Sequence, residues 1–211
     1  MTQAKQPNVS RYADIREEPI HKLLVPIKGY QDQSLVSLEE AIKPIAHLFD
    51  DLAEHVWIAK KNCKNPTDNL TQDESAAIHL YTMEFDGNKS FYRLLNATLR
   101  SENRQSLKPW FSYLKLFMTA LYKLPSKAET VYRGMKNIDL SDQYLKGNQF
   151  AWWGVSSCTR AVDVLQSDEF LGQDGKRTMF NIECSNGKSI TSHSYFSAKE
   201  EEVILMPGSY F

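Results

Sequence analysis

The chain has 211 residues, with 25 Lys and Arg against 26 Asp and Glu and a formal net charge of −1. Hydrophobic residues make up 42% and charged residues 24%, the balance of a folded chain able to bury roughly 70% of its unfolded surface rather than of a disordered tail. A global basic field for gripping nucleic acid is excluded, and no apolar run approaches the roughly 18 residues of a membrane helix. The opening stretch from Met1 to Pro7 is polar and lacks the apolar segment of a secretory signal, which favours a cytoplasmic setting. Four glycosylation sequons, at Asn8, Asn69, Asn88 and Asn96, point the other way, although Asn and Ser/Thr are common enough here for chance to supply most of them. Cys63, Cys158 and Cys184 have neither the pairing of a disulfide framework nor the spacing of a zinc site.

Helical periodicity runs to about residue 124. A capping-box pattern at Ser37 and Glu40 opens a first helix whose apolar positions are Ile42, Ile45, Leu48, Leu52 and Val56. Pro44 lies inside it, so a first-turn proline or a kink is expected. After a polar loop over 62–69, a second capping box at Thr71 and Glu74 opens a helix through Ile78, Leu80 and Tyr81, broken by Asp86, Gly87 and Asn88. A third helix spans Ser90 to Arg100. A fourth starts near Pro109 and stops before Pro125.

From about residue 130 the period changes to two. Thr130 to Arg133 reads as a strand, and Trp152 to Thr159 as another. Asp174 and Gly175 are a hairpin signal between 169–171 and 178–183. Asn186 and Gly187 read as a type I′ turn joining 180–184 to 189–191. Glu202 to Met206 is the last strand. The layout is α+β: a helical subdomain over about 37–124 packed on a strand-rich core over about 130–211, in a single domain covering 37–211, with residues 1–36 as an N-terminal extension.

Three segments carry chemistry. Glu200, Glu201 and Glu202 lead into the apolar Val203, Ile204 and Leu205. On a strand, Glu200 and Glu202 point to one face, where they repel unless a cation sits between them; a solvated acidic edge is the plainer reading of that segment alone. Arg133 followed by Gly134 on a strand can fork onto a phosphate, with the glycine admitting close backbone approach. Ser156, Ser157 and Thr159 supply hydroxyls able to orient a carboxylate.

In that order along the chain, these segments resemble the arginine-specific mono-ADP-ribosyltransferases of the Arg-Ser-Glu class, shared by vertebrate ecto-enzymes and bacterial toxins. The helical segments at 77–82, 91–96 and 116–121 also look like the family's, and the resemblance covers about Leu70 to Phe211. The hydroxyl motif departs from the usual pattern: Ser157 aligns with the first serine, Cys158 takes the middle place, and Ser156 is the fallback if the register slips by one. The family's last strand normally continues past the place of Phe211.

The resemblance implies a helical subdomain packed on a two-sheet β core, and a transferase that cleaves NAD+ at the nicotinamide–ribose bond and passes ADP-ribose to a protein arginine. Glu202 is implied as the acid beside the ribose and Glu200 as the acid that orients the acceptor. Arg133 would hold the NAD phosphate, Gly134 would meet the nicotinamide carboxamide, and Ser157 would aim Glu202. Tyr195 or, by slight preference, Phe196 would stack on the acceptor guanidinium. NAD+ is the co-substrate and no metal is implied. The partner is a protein carrying an acceptor arginine, with no nucleic acid and no membrane span; the oligomeric state is open. An NAD glycohydrolase using water, or a degenerate NAD-binding domain, are the alternatives.

Other constellations fall away. Gly172 to Lys176 is too short for a P-loop, and there is no dinucleotide fingerprint of the hydride-transfer kind. His47, Asp51 and His55 share a helical face without a fourth ligand. Trp152 and Trp153 read as core or pocket wall, and His193 receives no role.

Overall fold

A computed structural model describes residues 11, 14–84, 90–166, 170–172, 174–196 and 200–211. The expected sequons at Asn8 and Asn88, the helix break at 86–88 and residue Glu169 lie outside the described residues. Among the described residues no helix is long and apolar enough to cross a membrane.

The α+β class read from the sequence holds. Among the described residues five α-helices form the N-terminal layer: α1 Leu38–Ile42, α2 Leu52–Asn62, α3 Gln72–Thr82, α4 Phe91–Arg100 and α5 Phe111–Lys123. The long first helix expected across Pro44 is in fact three pieces. Ser37 caps α1, accepting from the Glu40 N–H at 3.3 Å. Lys43–Leu48 then tightens into a 3₁₀ turn with Pro44 at its start, and α2 begins afresh at Leu52, because proline cannot supply the N–H that would continue the α ladder. The capping box at Thr71 is complete: its hydroxyl accepts from the Glu74 N–H, and the Glu74 carboxylate accepts from the Thr71 N–H at 2.8 Å. Every residue of α3 from Glu74 to Thr82 is buried, so this helix is the centre of the layer. Around it pack Phe91, Trp110, Tyr113 and Phe117, whose rings meet edge-on or stacked. Each fully buried side chain of that size stabilises by about 1.5–3 kcal/mol.

The β core contains β1 Ser126–Lys136, β3 Ser156–Thr159, β4 Arg177–Ser189 and β5 Glu202–Leu205, which close on themselves in the order β1-β3-β5-β4, all antiparallel. A second sheet pairs β2 Ala151–Trp152 with β6 Ser209–Tyr210, and α6 Val162–Leu165 follows β3. The core of the closed sheet is Val131, Met135, Cys158, Val203 and Leu205 against Trp152. Burial there pushes the Cys158 thiol up to about 12, so it is a packing group and not a nucleophile.

Three expected features differ. Trp152 to Thr159 is not one strand: β2 and β3 belong to different sheets and Gly154 lies between them. A Cβ on Gly154 would sit 2.8 Å from the Arg100 guanidinium and 2.9 Å from the Glu18 carboxylate, so only a glycine passes these charges between the two strands. Asn186 and Gly187 make no hairpin turn. β4 runs straight through them along β1, with a register shift between Lys127 and Glu129, so the extra residue becomes a bulge. Gly187 is needed for close approach, since its Cβ would lie 2.8 Å from Val203 Cγ1 and 2.9 Å from Cys184 Sγ. The signal at Asp174 and Gly175 marks the entry to β4, but Phe170 and Leu171 are turn residues and the partner of β4 is β1.

Candidate active site

β5 opens with Glu202, opposite Thr159 of β3, and Ser157 pairs with Ile204 on the same face. Glu202 is completely buried and Glu200 nearly so. The expected same-face geometry on a strand does not apply to this pair. Glu200 lies in the turn ahead of β5, and Glu201 between them takes a φ of +43°. Thr159 Oγ1 nonetheless donates to the Glu200 carbonyl at 2.6 Å, pinning the turn, and the two carboxylates converge.

They converge on a guanidinium. Arg11, from the N-terminal segment and only 1% exposed, donates from Nε to Glu202 Oε1 at 2.8 Å and from Nη2 to Glu202 Oε2 at 3.0 Å. The same Nη2 donates to Glu200 Oε2. The Arg11 guanidinium carbon also lies 4.7 Å from the centre of the Phe196 ring. Two buried acids side by side are tolerable because this cation bridges them.

Arg133, fully buried on β1, continues the same cluster. Its Nη2 donates to the Arg11 carbonyl at 3.2 Å and to Asp14 Oδ1, and its Nη1 donates to the Ser157 carbonyl at 3.3 Å. Asp14 is buried as well. Burial pushes its carboxyl pKa up, but Arg100 and Arg133 outweigh that and hold it below the usual range. Arg100 is raised in turn by Asp14 and Glu18 against its own burial. Asn96 completes this corner, donating to Asp14 at 2.7 Å and bridging to the Val155 backbone on both sides. The sequon at Asn96 is therefore occupied by structural hydrogen bonds within a fully buried side chain.

Arg133 Nε and Ser157 Oγ are among the buried polar atoms that make no hydrogen bond within the described residues. Such buried orphans are uncommon, and these two lie on residues that the sequence reading assigned to NAD. Ser157 does not reach Glu202 here; the hydroxyl that does is Ser194, donating to Glu202 Oε2 at 3.1 Å. Gly134, on β1 beside Arg133, would bring a Cβ within 3.1 Å of Leu171, so close packing accounts for the glycine.

The turn before the acids is held by α3. His193 bonds through Nδ1 to Ser75 at 2.9 Å and through Nε2 to Asp68 at 3.1 Å, and its carbonyl meets His79 Nδ1 at 3.1 Å. Burial lowers the pKa of both imidazoles. The Tyr195 N–H donates to Thr82 at 2.8 Å and the Phe196 N–H to Ser194 Oγ at 3.3 Å. Tyr195 is 46% exposed and packs edge-on to His79 and to Phe196; it is Phe196 that carries the Arg11 guanidinium.

Sequence reasoning missed Arg11, Asp14, Glu18, Arg100 and Ser194. The first three looked like ordinary polar residues of an extension. The only available sign was the demand of two adjacent buried acids for a cation. His55, part of the rejected metal constellation, bonds to the Asp51 carbonyl at 2.8 Å, and the described residues contain no group of three or more His, Cys, Asp or Glu able to hold a metal.

Comparison with known proteins agrees with this fold. Solved structures of similar fold include the eucaryotic mono-ADP-ribosyltransferase ART2.2, at 24% identity and a TM-score of 0.59 over 81% of this chain and 73% of that one. They also include Vis, an ADP-ribosyltransferase from Vibrio splendidus crystallised with agmatine, at 21% identity and a TM-score of 0.53 over 86% and 80%. HopU1 of Pseudomonas syringae pv. Tomato matches at 22% identity and a TM-score of 0.54 over 85% and 81%. A search of curated proteins returned no match. The model of the family described as NAD:arginine ADP-ribosyltransferase matches residues 37–211, spanning the helical layer, both sheets and the buried acids, and the chain accordingly belongs to that family.

Proposed function

We propose that this protein transfers ADP-ribose from NAD to arginine side chains. The observation that carries the reading is the convergence of Glu200 and Glu202 on a single guanidinium that also lies over Phe196: the pocket is chemically suited to an arginine. Further support comes from the orphaned Arg133 Nε and Ser157 Oγ, which fit a ligand rich in phosphate and hydroxyl oxygens. An ART2.2 variant was crystallised with NADH.

In this reading Arg133 takes a phosphate of NAD, a bidentate partner for which a guanidinium is shaped. Glu202 accepts from a ribose hydroxyl and Ser157 adds a hydroxyl beside it. Loss of nicotinamide leaves positive charge on the ribose, as in glycoside cleavage. A fixed carboxylate stabilises that charge most when it is rigid and shielded from water, and Glu202 is both, at the first position of β5 and fully buried. The acceptor guanidinium is protonated and a poor nucleophile. Glu200 holds it and takes a proton as the nitrogen bonds to the ribose carbon, while Phe196 fixes its plane. The products are nicotinamide and the ADP-ribosylated arginine.

The test uses labelled NAD with agmatine as acceptor. Glu202→Gln lowers both nicotinamide release and transfer by about 10²–10³, the scale for loss of one preorganised electrostatic group. Glu200→Gln loses transfer by a similar factor yet keeps measurable hydrolysis. Equal transfer by wild type and Glu200→Gln would sink the acceptor assignment, and nicotinamide release with no transfer to agmatine in the wild type would favour the NAD glycohydrolase alternative.

A further inference from the structure

We propose that the N-terminal strap carrying Arg11, Asp14 and Glu18 is a built-in competitor of NAD: it lies in the donor site as a mimic of the dinucleotide and must leave before NAD binds. This rests on the reading of the site given above.

The dinucleotide presents two charges to such a pocket, a cationic nicotinamide on the ribose at one end and an anionic diphosphate further along. The strap presents the same two in the same order. The Arg11 guanidinium lies on Glu202 and Glu200, and three residues on, the Asp14 carboxylate lies on Arg133. The Arg11 carbonyl occupies a third donor site, accepting from Arg133. Arg11, Asp14, Arg133 and Glu202 are all buried, so the charges meet with little solvent between them. NAD cannot use Arg133 for its phosphate and Glu202 for its ribose while both are taken.

Arg11 shows that the two acids take a guanidinium, but it is placed to compete with NAD and not to react as an acceptor. An attacking arginine needs Glu202 left free for the ribose, whereas Arg11 engages both oxygens of that carboxylate. The strap also has an anchor outside the acids. Ile15 belongs to the core around Trp152, and Glu18 accepts from the Trp153 N–H at 2.7 Å, from the Gly154 N–H at 3.1 Å and from Arg100 Nε at 2.6 Å. Arg11 therefore stays tethered near the pocket when it is displaced, at an effective concentration in the millimolar range. A strap closed nine-tenths of the time weakens apparent NAD affinity about tenfold.

The experiment compares the full chain with its Arg11→Ala variant, following nicotinamide release against NAD concentration. The strap mechanism predicts that KM for NAD falls at least tenfold in the variant, equivalent to about 1.4 kcal/mol, with kcat within threefold. A synthetic peptide of residues 9–20 then raises the variant's KM competitively. Should the variant fail to fold, hydrogen exchange on the wild-type chain decides: saturating NAD speeds exchange of the amides of Arg11 and Asp14, ahead of the anchor at Ile15 and Glu18. A folded variant with unchanged KM overturns the proposal, as does unchanged or slowed exchange in the strap. ADP-ribose found on Arg11 of the wild-type chain overturns it too, since the strap would then be an acceptor in cis. If neither protein binds or turns over NAD, the functional reading itself fails and the strap mechanism with it, an outcome separable from turnover with unaltered KM.

Discussion

Ser194→Ala isolates the hydroxyl that the structure puts on Glu202. Ser194 Oγ donates to Glu202 Oε2 at 3.1 Å and accepts from the Phe196 N–H at 3.3 Å, so the substitution frees the carboxylate of one fixed donor and leaves one backbone donor unpaired. A hydrogen bond to a charged group contributes about 1.5–3 kcal/mol, and a stranded buried donor costs about 1 kcal/mol or more. While Arg11 is on Glu202 the first loss is partly masked; once NAD displaces the strap, nothing else among the described side chains shares Ser194's role. Losing about 1.5–2 kcal/mol from the positioned carboxylate translates into a 10- to 30-fold drop in kcat, with a smaller change in KM. The unpaired Phe196 N–H shows separately as a fall in Tm of about 2–4 °C, the scale of 1 kcal/mol in a chain of this size. Steady-state nicotinamide release and a thermal melt measure the two effects on one preparation, and Ser194→Thr, which keeps the hydroxyl, recovers most of kcat. A Ser194→Ala protein with wild-type kcat would refute the positioning argument, and a matching loss in Ser157→Ala alone would return the role to Ser157.

Other perturbations test the supporting structure. Gly187→Ala pushes a methyl toward Val203 and Cys184, both under 3 Å away. Overpacking of this kind costs about 1–3 kcal/mol, so Tm falls by several degrees; an unchanged melt would contradict the close approach of β4 and β5. The His79–His193 pair makes the turn before the acids pH-sensitive. Burial keeps both folded-state pKa values below the ordinary 6.5, so their stabilisation is complete above that pH and is lost as pH falls through the lower folded values. Melts between pH 7.5 and 5 show a decline that His193→Gln reduces; a flat profile in wild type would dismiss the linkage.

Much of the helical layer is readable from local signals. The reciprocal cap of Thr71 and Glu74, and the apolar faces of α4 and α5, are satisfied within a few residues of sequence. Glu202 is legible only through the order of the three segments, since the acids ahead of Val203, Ile204 and Leu205 read on their own as a solvated edge. The misreadings share one physical cause. Gly154 reads as part of a strand and Gly187 as a turn residue, yet each is fixed by a partner distant in the chain: Arg100 and Glu18 for one, Val203 for the other. Arg11 is the extreme case, since its partners lie 189 and 191 residues away and no periodicity or spacing can announce that. Ser194 was hidden by the alignment of hydroxyls on β3, which directs attention to Ser157 although the turn ahead of β5 delivers the closer donor.

The strap and the acids meet in a single measurable event, the binding of NAD. A crystal structure of the full chain with NAD bound tests this most directly. It is expected to place a ribose hydroxyl on Glu202 and the diphosphate on Arg133, with Arg11 withdrawn from between Glu200 and Glu202. NAD bound at another site, with the Arg11 guanidinium still lodged on both carboxylates, would contradict the proposed chemistry and the proposed competition together.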